Sequence, residues 1–544
     1  MPGPGWLRDD ARVAHSGLDA MRMPDARRAW QKASGFWPTQ SFAACLADRA
    51  RTDPDLDIFV ADGTRFTAPD ILDASLRLAA GLRACGVGAG DVVTWQLPSW
   101  IEGVWLVFAL DRIGAISNPV LPIYRERELG HIVREARSRL LLTCGRFRGF
   151  DHRALAQSVC PPGTRAVVVR DEPLDGQVEF ADLMAAPPDR EPAAEPDPAA
   201  AHSLFYTSGT TAEPKGVVHC AASLSAFLQL QGGLLPDEAG RVSILWFPLT
   251  HIGGVCAFAL QPVVAGTRVV FVEPFDPEES LRLIEQERVT QAGAPTPILQ
   301  ALLASPAFSP QRVESVRVSG IGATDVPPEL VGEVGRKLGA FVYRSYGLTE
   351  CPMATAGRRG DPEEALVGTD GRPLPGVEVR LAGGNAADEG EVELRGPQLC
   401  LGYLDPARTH EAFTADGFLR TGDLARRDAG GFLRITGRSK EIIVRKGENL
   451  SARAIEEALL SLPQIADAAV FAVPDPESGE CACACVVAAG AEQPALSELA
   501  AELRGAGVMP HLIPERLLWV GGLPRTPTGK VRKHELRDAW LAGL

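Results

Sequence analysis

The sequence predicts an α/β fold. It reads as a large N-terminal domain of two αβ subdomains with parallel-rich sheets plus a small β-barrel, followed by a smaller α+β C-terminal domain. Three observations predict it. A chain of 544 residues is too long for one ordinary core and points to two to four domains. Helical periodicity alternates with short β-rich runs from about 40 to 180 and again from about 220 to 355, the pattern of βαβ units. From about 365 to 437 the pattern changes to short strands and tight turns, and 450–544 returns to mixed α and β.

Taken in order, residues 1–37 are polar and read as a loosely attached entry segment. DILDASLRLAAGLRACG (70–86) carries apolar residues three and four apart and predicts a helix; DVVTWQL (91–97) and RAVVVRD (165–171) predict buried strands. AAPPDREPAAEPDPAA (185–200) reads as an exposed loop. TRVVFVEPF (267–275) and VESVRVSG (313–320) read as strands, and ESLRLIEQE (279–287) as a helix. IGGVCAFALQPVVAG (252–266), the most apolar long window, is too short for a membrane span and reads as a buried strand and helix. GVEVRLAG, GEVELRG and GFLRTGDLARRDAGGFLRITGR predict hairpins forming a small barrel or sheet. A boundary near 438–440 divides 1–438 from 439–544, where SARAIEEALLSL reads as a helix and DAAVFAVPD as a strand.

Composition narrows the function. Apolar content of 45% and charged content of 23% are those of a soluble globular protein. A net charge of −14 argues against a general nucleic-acid binder. Eleven cysteines without a pairing pattern, and an N-terminus without an apolar signal region, predict a reduced, cytoplasmic protein with no integral membrane segment.

Five stretches carry chemistry. TSGTTAEPKG (207–216) combines hydroxyls, glycines and Lys215, the composition of a phosphate-binding turn, yet it matches neither GxxxxGK[ST] nor GxSxG. YGLTE (346–350) puts Thr349 and Glu350 at the tip of a strand, where a carboxylate suits Mg²⁺. TGDLA (421–425) places Asp423 in a turn, suited to ribose hydroxyls. GRSKEIIVRKGENLSA (437–452) holds Arg438 and Lys440 at the proposed boundary. PRTPTGKVRK (524–533) collects Arg525, Lys530, Arg532 and Lys533 in an otherwise acidic chain.

In this order and at these separations, the five stretches resemble the adenylate-forming (acyl-CoA synthetase, AMP-binding) superfamily from about residue 30 to the C-terminus. NPVLPIYRERELGHIV (118–133), FRGFD (147–151) and TDGRPLPGVEVR (369–380) are similar to its branch of medium-chain and cyclohexanecarboxylate–CoA ligases. The resemblance implies a ligase that uses ATP and Mg²⁺ to form an acyl-adenylate from a small-molecule carboxylic acid. Transfer to coenzyme A follows, or to the phosphopantetheine of an acyl carrier protein, and the enzyme would be a monomer or homodimer.

By the same resemblance Thr207, Ser208, Gly209, Thr210, Thr211 and Lys215 cradle the β- and γ-phosphates, Thr349 meets the α-phosphate and Glu350 holds Mg²⁺. Tyr346 stacks on adenine beside Gly322 and Ala323, and Asp423 and Arg438 bind the ribose. Lys530, on a mobile C-terminal domain, bridges the α-phosphate and the incoming carboxylate; Lys440 is the hinge, and Gly447 leaves room for pantetheine. WFPLTHIGG (246–254) borders the acid, with His251, Ile252 and Gly253 beside it. No carboxylate stands there to meet an amino group, which favours an apolar acid over an amino acid, and the glycines suggest room for bulk. GIGATDVP (320–327) departs from the family's GGAP, leaving Asp325 to face the nucleotide, the acyl group or solvent.

Plainer readings stand beside several of these. CACAC (481–485) reads as one buried face of a strand, since no further ligand accompanies it to complete a metal site. GVGAGD (86–91) precedes a strand and reads as a connector, not a dinucleotide loop. His251 reads as pocket lining ahead of catalytic base, and Cys351 as packing ahead of nucleophile. Arg532 and Lys533 read equally as phosphate contacts or as a solvated helix face.

Overall fold

The computed structural model describes Leu18 and residues 21–542, apart from 190–194, 208–213, 236–239, 323–325, 384–388, 446–447, 476–478, 507, 509–511 and 527–528; at 440, 442, 444–445, 448–449 and 479 the backbone alone is described. The chain divides into two compact units. The first comprises Met1–Val367, Pro373–Glu378 and Arg395–Leu419; the second comprises Gly368–Arg372, Val379–Leu394 and Arg420–Leu544. Among the described residues no helix is long and apolar enough to cross a membrane.

The first unit is built on an eight-stranded sheet. From one edge its strands are Gly402–Tyr403, Lys215–Cys220, Ala201–Thr207, Ile116–Pro119, Val92–Gln96, Leu140–Cys144, Arg165–Val169 and Val178–Glu179. Pairing is parallel from Ala201–Thr207 onward and antiparallel at the first two junctions. The central strands Val92–Gln96 and Leu140–Cys144 are mostly apolar and buried at every position because both faces are covered. Helix Ile101–Ile113 is apolar nearly all round and buried, and Gly114 ends it at φ 69°. Helix Ala68–Ala84 starts with a reciprocal cap between Thr67 and Asp70. A second sheet runs in the order Val242–Leu245, Arg268–Phe271, Asp57–Ala61, Thr64–Thr67. Single parallel bridges through Gln291 connect it to Val318–Ile321, which pairs with Phe341–Leu348.

Three expectations for this unit are corrected. Residues 252–266 contain no strand: Ile252–Gly254, a π-helical turn Val255–Leu260 and Gln261–Ala265 run on as helix to Gly266. A short apolar run has no periodicity that separates a buried helix from a buried strand. The strand expected over 313–320 is confined to Val318–Ile321, because 311–315 turn before it. The entry segment is not loose where it is described. Helix Asp25–Ala33 buries Arg27 and Gln31, which donate to the carbonyls of Pro397, Leu399 and Cys400.

In the second unit the predicted hairpins form a four-stranded sheet, Glu378–Ala382, Glu389–Arg395, Leu419–Arg427 and Leu433–Arg438. A five-stranded sheet follows, centred on the antiparallel pair Ile465–Asp475 and Gly479–Ala488. Its two faces differ. Ala482, Ala484 and Val486 pack with Ile455, Leu459, Leu499 and Leu503. Cys481, Cys483 and Cys485 pack with Phe471, Val473, Leu536 and Trp540. The CACAC run is therefore a buried strand face. Burial pushes the Cys483 thiol up to about 12, and all eleven cysteines are free.

Candidate active site

Two hairpins of the first unit carry the residues singled out in the sequence. In one, Ala201–Thr207 pairs with Lys215–Cys220 so that Thr207 faces Lys215, and the hydroxyl-rich stretch is the connection between them. Ser208, Gly209, Thr210 and Thr211 lie outside the described residues. In the other, Phe341–Leu348 turns back into Cys351–Ala356, and Thr349 and Glu350 occupy the turn, buried at 9% and 7% exposure.

A short edge strand joins the two hairpins. Gly402–Tyr403 pairs with Lys215–Cys220, and the Tyr403 phenol donates to Glu350 Oε1 at 2.6 Å. Lys215 Nζ stands 5.8 Å from the Tyr403 ring centroid. The Cys400 amide donates to the Glu350 carbonyl at 2.8 Å. Burial, then the Glu350 carboxylate, pushes the phenol far above its ordinary range, so it remains a donor. Tyr403 carries no signal in the sequence, because its GY dipeptide is too common a pattern to mark it.

Beneath the turn, His219 Nε2 meets the Thr349 carbonyl at 2.8 Å and Nδ1 meets Ser223 Oγ at 3.0 Å. Complete burial lowers this histidine to about 4, so it is neutral and donates from Nε2. The ring holds Thr349 by its backbone and leaves the threonine hydroxyl to other partners. Nothing in the local sequence VVHCA marks this role.

Tyr346 is half-buried in the same hairpin, opposite Thr355. A Cβ at Gly322 would lie 2.9 Å from Ser345 Oγ and 3.0 Å from the Ser345 carbonyl oxygen, so the position leaves little room for a side chain. Ala323 and Asp325 lie outside the described residues.

At the start of the helical run 252–265, His251 Nδ1 accepts from the Gly253 amide at 3.2 Å, which places the ring proton on Nε2. Phe247 and Phe258 meet edge to face, 5.2 Å between centroids. Ile252 is buried in the main core. The two glycines do different work. A Cβ on Gly253 would meet only ordinary contacts, whereas one on Gly254 would lie 2.4 Å from the Pro248 carbonyl oxygen. Gly253 alone leaves room; Gly254 is bare because the backbone passes against it.

The remaining residues belong to the second unit. Asp423 lies within strand Leu419–Arg427, correcting the turn expected there; a bulge at Leu424/Ala425 lets it face Arg438 in the next strand. Arg438 Nε donates to Asp423 Oδ1 at 2.9 Å. The Lys440 side chain and Gly447 lie outside the described residues. Lys530 is on a tight turn: Thr526 N donates to Lys530 O at 2.7 Å, Lys530 N donates to Thr526 Oγ1 at 3.0 Å, and Gly529 adopts φ 86°. Lys533 is not a solvated face. It is largely buried against Glu441 and Glu456, because its helix packs onto the sheet.

Among the described residues no cluster of three or more His, Cys, Asp or Glu side chains offers a metal cage. A single carboxylate at a turn, as at Glu350, does fit Mg²⁺, which keeps waters and shares its sphere with substrate phosphates.

An α/β unit with a hydroxyl-rich hairpin beside a buried carboxylate, and a second unit with an exposed Gly-Lys turn, is the arrangement of an adenylate-forming ligase. Residues 46–404 match the AMP-binding enzyme family and residues 454–530 match the AMP-binding enzyme C-terminal domain. The chain belongs to the AMP-binding enzymes. It is 34% identical over 538 residues to the salicyl-AMP ligase / salicyl-S-ArCP synthetase of Mycobacterium tuberculosis, covering 94% of this chain and 93% of the relative. It is 31% identical over 526 residues to the medium-chain fatty-acid–CoA ligase of Escherichia coli, covering 94% and 93%. The crystal structure of ATP-bound MatB from Rhodopseudomonas palustris matches with a TM-score of 0.82 at 26% identity, covering 92% of this chain and 98% of that one.

Proposed function

We propose that the protein is an AMP-forming acid–thiol ligase of the cytoplasm, acting on an apolar, medium-chain or alicyclic, carboxylic acid. The carboxylate oxygen attacks the α-phosphorus of ATP, the bond to the β-phosphate bridging oxygen breaks, and pyrophosphate leaves. The sulfur of coenzyme A then attacks the acyl carbon, the bond to the AMP oxygen breaks, and the thiol proton is released. The observation that carries this reading is the Tyr403–Glu350 hydrogen bond, which links the strand starting at Lys215 to the Thr349–Glu350 turn.

In this reading residues 207–211 and Lys215 bind the β- and γ-phosphates, Thr349 the α-phosphate, Tyr346 with Gly322 and Ala323 the adenine, and Asp423 and Arg438 the ribose. Glu350 holds Mg²⁺, which supplies neutralising charge to the phosphates. His251 and Gly253 line the acid, Ile252 backs them from the core, and Gly447 admits pantetheine. Lys530 stabilises charge that develops in the first transfer. Lys440 is the pivot, so that 1–438 and 439–544 turn as bodies between the two steps.

The 34% identity to a salicyl-S-ArCP synthetase favours a second reading, in which an acyl or aryl group is loaded onto a carrier-protein phosphopantetheine.

The test is pyrophosphate release with octanoate, cyclohexanecarboxylate, salicylate and leucine, each with and without coenzyme A. Stimulation by octanoate or cyclohexanecarboxylate, followed by acyl-CoA formation, is expected; release that no acid stimulates sinks both readings. Salicylate activity that proceeds only with a carrier protein selects the second. Lys530→Ala should slow pyrophosphate release ~10²–10³-fold while sparing thioester formation from supplied acyl-adenylate. Lys440→Pro should stall the passage between steps.

A further inference from the structure

Lys533 opens the helix Lys533–Leu541, three residues beyond Lys530. A helix N-terminus carries partial positive charge and disfavours a cation, so helix formation gives no reason for a lysine here. Its surroundings give one. Nζ lies 2.6 Å from a Glu441 oxygen and 2.8 Å from a Glu456 oxygen, with the lysine side chain 19% exposed. Burial alone would lower its pKa; the two carboxylates outweigh that and raise it, so the ammonium stays charged. Glu456, on helix Ala452–Leu460, also accepts from the Val470 amide at 2.6 Å. Glu441 closes the 3₁₀ turn Ser439–Glu441, one residue past Lys440.

The Lys530 loop is braced within itself. Besides the bonds inside its turn, Arg532 N donates to Pro524 O at 2.8 Å, and Arg525 and Val531 form a bridge. A loop so braced moves as a piece with whatever holds its base, and its base leads directly into Lys533.

We propose that Lys533 is a positioning residue: its ammonium, clamped by Glu441 and Glu456, ties the Lys530 loop to the segment that begins at Ser439, so that rotation there carries Lys530 with it. The inference rests on reading Lys530 as the adenylation lysine and Lys440 as the pivot. Direct binding of phosphate by Lys533 is disfavoured, because two carboxylates already surround its charge.

The experiment uses the full chain. Amide hydrogen exchange is followed in wild type, Lys533→Arg, Glu441→Gln and the double variant Lys533→Met/Glu456→Gln, which replaces the buried charges by neutral groups of similar size. In the double variant, residues 439–443 and 524–532 should lose protection together while Ile465–Asp475 keeps it. Glu441→Gln should show the same pair of changes more weakly, which keeps the test alive if the double variant folds poorly, and Lys533→Arg should restore protection. Pyrophosphate release with octanoate, cyclohexanecarboxylate or salicylate should fall ~10²-fold in the double variant, as for a misplaced catalytic group. Thioester formation from supplied acyl-adenylate should fall far less. Unchanged exchange in both segments, or loss spread evenly over the unit, overturns the tether. If Lys530→Ala leaves pyrophosphate release intact while the exchange pattern holds, the role given to Lys530 fails and the tether survives.

Discussion

In the first unit the buried carboxylate of Glu350 is met by a neutral phenol; in the second the ammonium of Lys533 is met by two carboxylates. A phenol supplies a hydrogen bond without cancelling charge, so a carboxylate held this way still attracts a cation from solution. Two carboxylates cancel an ammonium and leave it nothing to offer an anion. The difference separates a ligand-binding charge from a fastening one, and it does so where sequence proximity misleads: Lys533 is three residues from Lys530 yet belongs to the scaffold.

The sharpest way to break this comparison is Lys533→Met. Leaving Glu456 buried beside no cation should cost the second unit about 3–5 kcal/mol, read by denaturant unfolding through Trp519 and Trp540. Adding Glu456→Gln should recover most of it. A single variant as stable as wild type would mean that the clamp is not a fastening.

Acid should sharpen the contrast next. His219 and His152 are each lowered to about 4 by burial, below the ordinary value near 6.5. The unfolded chain then binds more protons than the folded one between those values. Their contribution is complete above pH about 6.5 and is lost as pH falls towards 4, on the order of 3 kcal/mol for each. In the second unit the described histidine, His534, is exposed. The first unit should therefore melt first on acidification, and His219→Asn should flatten its pH dependence between 4 and 6.5.

Tyr403→Phe tests the other side of the comparison. Loss of a hydrogen bond to a buried carboxylate should cost about 1.5–3 kcal/mol and raise the Mg²⁺ needed for half-maximal pyrophosphate release. A stability loss with no change in Mg²⁺ dependence would make the phenol a packing group only. The smallest effect is expected at Asp467→Asn. Its pair with Arg525 lies on the same loop as Lys530 but has side chains 29% and 35% exposed, so less than about 1 kcal/mol should be lost.

The sequence by itself determined the buried strands of the first sheet, the placement of Thr349 and Glu350 at the tip of a strand, the gathering of Cys481, Cys483 and Cys485 on one buried strand face, and membership of the family. Each of these is encoded locally, by periodicity, by turn chemistry or by residue types at set separations. Tertiary structure alone decided the rest. Residues 252–265 became helix because the run is apolar on all sides and only its neighbours could choose its form. Arg27 entered the interior because carbonyls some 370 residues away receive it. Tyr403 found Glu350 across 53 positions and Lys533 found Glu441 across 92. Periodicity records that a side chain is buried. Which charge or hydrogen-bond partner waits for it depends on distant segments that meet only when the chain has folded.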